Sequence, residues 1–222
     1  MVACVVIPTY NESKEIGNVL RRLRQQNLEV VVIDDGSRDN TSLIARENGA
    51  VVIRNQTNEG KGASLIKGFQ YAIKNNFDAV ITMDGDGQHL PEEALNFIRA
   101  AEGNNAALFI GDRITNSRGM PNVRWLTNKF MSWLISKIIG QKIPDTQCGF
   151  RLIKTEALKN ICLKTSKYET ESEIIIRISR AGYKIKSVRI KTVYKNEKSQ
   201  ISPFIDTLRF IKFISGELFR HN

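Results

Sequence analysis

No run of uncharged apolar residues approaches the roughly 18 to 20 needed to cross a bilayer, so a membrane-spanning helix is not expected. Cysteine is sparse. Cys4, Cys148 and Cys162 form no CxxC pair and read as reduced thiols of a cytoplasmic protein, not as a disulfide framework. The N-terminal MVACVVIPTY has neither a basic segment ahead of its apolar run nor a small-residue cleavage site, so a secretory signal is not expected either. Glycine is missing from Pro8–Ser13, directly after the first apolar run. That removes the GxGxxG turn of a dinucleotide oxidoreductase and the Gly-rich phosphate loop of a nucleotidyltransferase. With no internal repeat, low-complexity tract or Gly/Ser linker, residues 1–222 read as one domain.

Hydrophobic residues make up 41% of the chain and charged residues 25%, which suits a packed core. The charge is laid out unevenly. Residues 1–112 hold 11 Lys and Arg against 15 Asp and Glu, and residues 113–222 hold 22 against 8, so the two parts carry −4 and +14. An acidic front part suits a bound cation. A basic back part suits an anionic partner: nucleic acid, an anionic membrane surface or a phosphorylated substrate. A merely solvated basic face would show the same count.

Apolar runs alternate with helical patterns in the front part. Val2–Ile7, Val30–Ile33, Val51–Ile53, Ala79–Met83 and Ala107–Ile110 read as strands, with helices over Ser13–Gln26 and Ala63–Lys74. Continuous apolar strands separated by helices predict a parallel sheet covered on both faces. Polar residues crowd just after those strands, at Thr9–Glu12, Asp34–Ser37, Asp84–His89 and Gly111–Arg113. Ligands in open α/β sheets sit beyond the carboxyl ends of the strands. Four such loops on one edge therefore predict a site there. Further on, Val123–Ile139, Thr170–Ala181 and Pro203–Phe219 read as helices, and Gly149–Ile153 and Ile185–Val193 as strands.

The chemistry centres on Asp84-Gly85-Asp86-Gly87-Gln88. Two carboxylates one residue apart on a glycine-permitted turn can face one hard cation, Mg²⁺ or Mn²⁺, with Gln88 adding a neutral oxygen. So few protein ligands leave coordination positions for a diphosphate, whose departure the ion would assist as a Lewis acid. In Pro8-Thr9-Tyr10-Asn11-Glu12, Pro8 stiffens the strand exit, Tyr10 offers a ring to a base and Glu12 an acceptor to a ribose hydroxyl or base edge. In Asp34-Asp35-Gly36-Ser37, Asp35 is read as a ligand to a base or ribose, and Ser37 and Asp39 as helix caps. His89 either flanks the ion or is an exposed loop histidine.

Taken together, Pro8-Thr9-Tyr10-Asn11-Glu12, Asp34-Asp35-Gly36-Ser37, Asn58-Glu59-Gly60-Lys61-Gly62 and Asp84-x-Asp86-x-Gln88 resemble the family-two inverting glycosyltransferases, most of all the dolichyl- and polyprenyl-phosphate sugar synthases. Gly111-Asp112-Arg113, Asp145 to Arg151, Glu169-x-Glu171 and Glu197-Lys198-Ser199 extend the likeness over nearly the whole chain. The resemblance implies a GT-A fold, a Rossmann-like and mostly parallel twisted sheet flanked by helices. Residues 1–112 would form its nucleotide-sugar part, and residues 113–222 an acceptor-side layer with an amphipathic C-terminal helix. It implies that Pro8, Tyr10, Glu12 and Asp35 line the nucleoside pocket and that Asp84, Gly85, Asp86 and Gln88 hold metal and diphosphate. Arg113 then lies near donor and acceptor phosphates with Arg124 beside it. Asn128 stands where that family often has Ser, and Lys198 falls in a stretch similar to a donor-closing loop.

A phosphate acceptor is also supported by elementary chemistry. A hydroxyl needs a general base as it attacks, whereas a phosphomonoester already carries a charge of about −1.5 to −2. It needs cations to hold it beside a diphosphate, and Arg113 and Arg124 are the candidates. Attack opposite the leaving group inverts the anomeric centre. Asp86, Arg113 and Asp145 are the expected catalytic residues, with Asp145 a base or sugar-orienting group for a hydroxyl acceptor, or else a turn cap. Glu169 and Glu171 orient arginines or the sugar, or form a solvated helix start. The partners implied are a nucleotide-sugar donor, a polyprenyl or dolichyl phosphate and a peripheral contact with the cytoplasmic membrane face. Trp125–Ile139 and the terminal helix, with Ile201, Phe204, Ile205, Leu208, Ile211 and Leu218 on one face, suggest that contact, although core packing would produce a similar stripe. A catalytically idle or nucleic-acid-binding module is the competing class. The intact Asp84/Asp86 pair speaks against the former, and steep salt dependence without any need for Mn²⁺ would mark the latter.

Overall fold

The computed structural model describes residues 1–114, 120–193, 210 and 212–217. Its strands are β1 (Ala3–Thr9), β2 (Glu29–Asp34), β3 (Val51–Arg54), β4 (Ala79–Thr82), β5 (Ala106–Asp112), β6 (Arg151–Lys154) and β7 (Lys184–Arg189). They form one sheet in the order β3-β2-β1-β4-β6-β5-β7. The helices are α1 (Ile16–Arg24), α2 (Thr41–Glu47), α3 (Lys61–Lys74), α4 (Ala94–Ala101), α5 (Asn122–Ile139), α6 (Thr155–Lys159) and α7 (Thr170–Arg180). The apolar centres of β1, β2, β4 and β5 are fully buried, as strands covered on both faces must be.

The sheet is mostly parallel, as expected, with one exception. β6 runs antiparallel to both neighbours, with Thr82 opposite Arg151 and Ile110 opposite Arg151 on its two sides. The chain leaves β5 at the sheet's carboxyl edge and, after α5, re-enters β6 from that same edge. It can only run backwards. Edge strand β3 also departs from the reading, since none of its four residues is fully buried. Pro8 does not end β1: it pairs in register with Ile33 of β2, beyond the point where the ladder to β4 stops at Val6. There β1 has a single neighbour, which is where a residue without an N–H is tolerated.

On the back part, α7 is pinned at its start by Glu173. Its buried carboxylate accepts the N–H groups of Lys164 and Thr165, each at 2.9 Å, and the Thr165 hydroxyl at 2.8 Å, and pairs with Arg177 at 3.2 Å. Burial alone would raise its pKa, but these hydrogen bonds outweigh it and hold the group below its usual 4.5. A depressed folded value stabilises the protein above the unfolded value and is lost as pH falls. Stability is therefore expected to fall below about pH 4.5, and Glu173→Gln to flatten that part of a melting-temperature profile. An unchanged profile in the variant would assign the acid lability elsewhere.

The described part of the terminal helix, 210 and 212–217, packs inward. Phe210 and Ile214 are buried, and Glu217 pairs with Arg177 at 2.7 Å and with Arg180. Core packing, not an outward stripe, accounts for this part. Ile201, Phe204, Ile205, Leu208, Ile211 and Leu218 lie outside the described residues.

Candidate functional site

Because β1, β2, β4 and β5 are parallel, their exits fall on one edge, and antiparallel β6 begins at that edge too. The exit loops lock onto one another. The N–H of Asn11, itself left-handed at φ 57°, donates to Ser37 Oγ at 2.9 Å, and the N–H of Glu12 donates to Thr41 Oγ1 at 2.8 Å. Ser37 therefore joins two loops and caps no helix, contrary to the reading from sequence. Asp39 does serve the start of α2, accepting the Thr41 N–H at 3.0 Å. Pro8, Tyr10 and Glu12 are half-buried along this seam.

The acidic loop after β4 closes against the same seam. A Cβ on Gly85 would lie 2.8 Å from Thr9 Cγ2 and 3.7 Å from Glu12 Cγ, so the loop fits only because position 85 lacks one. Gly87 supplies the left-handed residue at φ 70°, and Asp86 Oδ1 accepts the Gln88 N–H at 2.9 Å. Asp35 is buried and accepts Asn55 Nδ2 at 2.7 Å and the N–H groups of Glu59 and Gly60 at 2.8 Å each. It thereby fixes the approach to α3, whose first residue is Lys61.

Lys61 is the residue that sequence reasoning missed. Its Nζ lies 2.6 Å from Asp84 Oδ1 and 3.0 Å from Glu171 Oε1, joining α3, the acidic loop and α7 in one ion cluster. Glu171 is thus no solvated helix start. Burial would raise the Asp84 carboxyl, but the Lys61 charge beside it holds it well below the usual carboxylate range. Burial would likewise lower Lys61, and its two carboxylates hold it above the ordinary lysine value. The Asn58–Gly62 motif was the available signal, though nothing in one dimension pairs it with residues 84 and 171. Gly62 makes the approach possible: a Cβ there would sit 2.0 Å from Thr170 Oγ1 and 2.6 Å from the Ser166 carbonyl carbon.

His89 is buried and not exposed as one sequence reading had it. Its ring lies tilted against Phe150, with centroids 5.1 Å apart, and Nδ1 accepts the Asp84 N–H at 3.3 Å. Burial holds its pKa down to about 4, in keeping with a neutral acceptor ring.

Arg113 and Asp145 form a buried, two-pronged pair, Nε to Oδ2 at 2.7 Å and Nη2 to Oδ1 at 3.1 Å. The Asp145 side chain is 0% exposed and Oδ1 also accepts the Gln147 N–H at 3.1 Å. Both of its oxygens hold the Arg113 guanidinium. Ser132 of α5 accepts the Thr146 N–H at 2.8 Å, so α5 lies against the Asp145 turn. Asn128, buried one helical turn earlier, and half-buried Arg124 occupy the same helix. Lys198 lies outside the described residues. Cys4 and Cys148 are unpaired and buried, and burial pushes both thiols up to about 12.

The donor set fits a hard divalent cation. Asp84 is held as an anion, and Asp86 and Gln88 would offer further oxygens from the same turn. An ion held by so few protein oxygens would complete its shell with substrate oxygens.

The Glycosyl transferase family 2 model matches residues 4–162. A UDP-N-acetylglucosamine–dolichyl-phosphate N-acetylglucosaminyltransferase of Methanococcus voltae is 31% identical over 86% of this chain and 85% of its own. An undecaprenyl-phosphate mannosyltransferase of Micrococcus luteus is 30% identical over 87% and 84%. Among solved structures, glucosyl-3-phosphoglycerate synthase from Mycobacterium tuberculosis, in complex with Mn²⁺, UDP and phosphoglyceric acid, superposes with a TM-score of 0.72. It is 18% identical, over 99% of this chain and 78% of that one, a likeness of fold.

Proposed function

Because the chain belongs to glycosyl transferase family 2, we propose that it moves a hexose from a nucleotide sugar to a polyprenyl or dolichyl phosphate with inversion. The observation that carries this reading is the acidic Asp84–Gln88 loop locked against the β1 exit, with the Arg113–Asp145 pair near the same edge. Asp84, Asp86 and Gln88 would hold Mg²⁺ or Mn²⁺. When bound, such an ion supplies charge neutralisation to a departing nucleoside diphosphate.

The chain's own residues do the rest. Pro8, Tyr10, Glu12 and Asp35 line the nucleoside side, with Gly85 letting the acidic loop approach it. Lys61 keeps Asp84 ionised and oriented. Arg113, Arg124 and Asn128 hold the acceptor phosphate, whose oxygen attacks without a base. Asp145 points the Arg113 guanidinium, which favours a phosphate over a hydroxyl acceptor. Lys198 is assigned to donor closure by resemblance alone. The two relatives share a lipid-phosphate acceptor in their names and differ in the sugar, so the acceptor class is the better supported half.

A lipid acceptor places the reaction at a bilayer, here the cytoplasmic face, with the enzyme peripherally attached. No helix among the described residues is long and apolar enough to cross. The test is a transfer screen of GDP-mannose, UDP-glucose and UDP-GlcNAc with Mn²⁺ and a polyprenyl phosphate. A lipid-linked product that depends on Asp84 and Asp86 is expected. Glycosylation of a sugar or protein hydroxyl in its place would overturn the lipid half.

A further inference from the structure

Four segments meet at one point beside the acidic loop. Lys61, the first residue of α3, sets its Nζ 2.6 Å from Asp84 Oδ1 and 3.0 Å from Glu171 Oε1. Gly149, just ahead of β6, faces all three. A Cβ there would lie 3.0 Å from Asp84 Oδ2, 3.0 Å from Glu171 Oε1 and 3.2 Å from Lys61 Nζ. The three charged side chains are partly buried, so solvent screens their interaction only weakly. Glu171 is also held by its backbone. Its carbonyl accepts Nη1 of buried Arg151 at 2.6 Å, and the same guanidinium donates to the carbonyls of Cys148 at 2.7 Å and Thr146 at 2.9 Å. The backbone of Glu171 is therefore anchored independently of Lys61.

The ammonium that orients Asp84 also competes with a cation for it. A divalent ion on Asp84 would share one carboxylate with a charge of its own sign, and like charges at that range repel strongly. The other cation acting on Asp84, Arg113, is neutralised by Asp145 at 2.7 Å, which leaves Lys61 as the competitor among the described residues. The ion gains Asp84 only as Lys61 gives ground, and Glu171 is the second carboxylate already within reach of the same ammonium. We propose that Glu171 is a positioning residue for the metal loop: it holds the Lys61 ammonium and so frees Asp84 for the divalent ion. The proposal deepens the assignment of Asp84, Asp86 and Gln88 to the metal and rests on it. In this role Glu171 acts on the ion only through Lys61. Removing Glu171 should weaken metal binding, and removing Lys61 as well should restore it, which loss of a merely structural contact would not do.

The measurement is Mn²⁺ affinity of the full chain by electron paramagnetic resonance, at a fixed concentration of UDP and again of GDP. Glu171→Gln keeps the size of the side chain and should weaken Mn²⁺ binding roughly 10-fold, within the span usual for coupled neighbours. Lys61→Met should tighten it by a similar factor. The double variant Lys61→Met/Glu171→Gln should bind Mn²⁺ at least as tightly as the parent. It removes one charge of each sign from a partly buried cluster, so its melting temperature should stay near that of the parent. Parent-like Mn²⁺ binding in Glu171→Gln overturns the proposal. So does a double variant as weak as Glu171→Gln, which would have Glu171 acting on the ion directly. Should Glu171→Gln fail to fold, Lys61→Met decides: tighter Mn²⁺ binding than in the parent supports the proposal, and unchanged or weaker binding overturns it. A parent that binds no Mn²⁺ with either nucleotide would remove the metal loop itself, and this proposal with it. Mn²⁺ binding that depends on Asp86 but ignores Glu171 would sink the positioning role and leave the proposed reaction standing.

Discussion

Asp86→Asn is expected to lower kcat by about 10³-fold or more, the scale on which electrostatic stabilisation of a leaving group operates. The substitution is nearly isosteric. Its side-chain oxygen can still accept the Gln88 N–H that Asp86 accepts at 2.9 Å, so the turn should hold its shape. Thermal stability should change little while Mn²⁺ binding in the presence of a nucleoside diphosphate, read by electron paramagnetic resonance, weakens sharply. Asp84→Asn should lose activity to a similar degree but for two reasons, because it also removes a charge from the cluster with Lys61 and Glu171. Asp86→Asn is therefore the cleaner experiment. Unaltered turnover in that variant would remove the acidic loop from the reaction altogether.

Asp145→Ala should cost about 3–5 kcal/mol of stability, since it strands the Arg113 guanidinium away from water without its partner. For a chain of this size that corresponds to a fall in melting temperature on the order of 10 °C. The buried geometry is the reason for so large a figure: the side chains are 5% and 0% exposed, and the two-pronged contact closes at 2.7 and 3.1 Å. The same variant tests the role assigned to Asp145. A residue that positions Arg113 should raise the KM for the acceptor and lower stability together. A general base would instead leave stability near that of the parent in Asp145→Asn and remove the lower limb of the pH–rate profile. Calorimetry and acceptor kinetics on both variants separate the two, and an Asp145→Ala protein as stable as the parent would contradict the buried pair.

The strand-then-polar-loop rhythm of the first 112 residues was readable because period and composition are local. Val30–Ile33 or Ala79–Met83 can hardly be anything but buried strand, and the polar segment after each must surface at the strand's exit. The direction of β6 was not readable. Four residues, Arg151–Lys154, carry no mark of which edge the chain enters from, and that depends on the path through α5. Helix α5 defeats pattern reading for a related reason. Apolar residues lie on more than one side of it, so periodicity cannot say which side the core takes. The burial of His89 was not readable, because one histidine in a polar loop looks solvated until Phe150 is known to lie against it.

The amino-acid order sufficed to name the chemistry: paired carboxylates after a buried strand, an acidic front and a basic back, and motifs in register with a sugar-transferring family. Such features depend on residue type and short spacing, which a one-dimensional string carries in full. Charge partners came from folding, because Lys61 meets Asp84 across 23 positions and Glu171 across 110, and Arg113 meets Asp145 across 32. Coulomb attraction and burial act through space. Which carboxylate faces a metal, which one steadies an arginine and which helix face meets the outside depend on where the backbone has already gone.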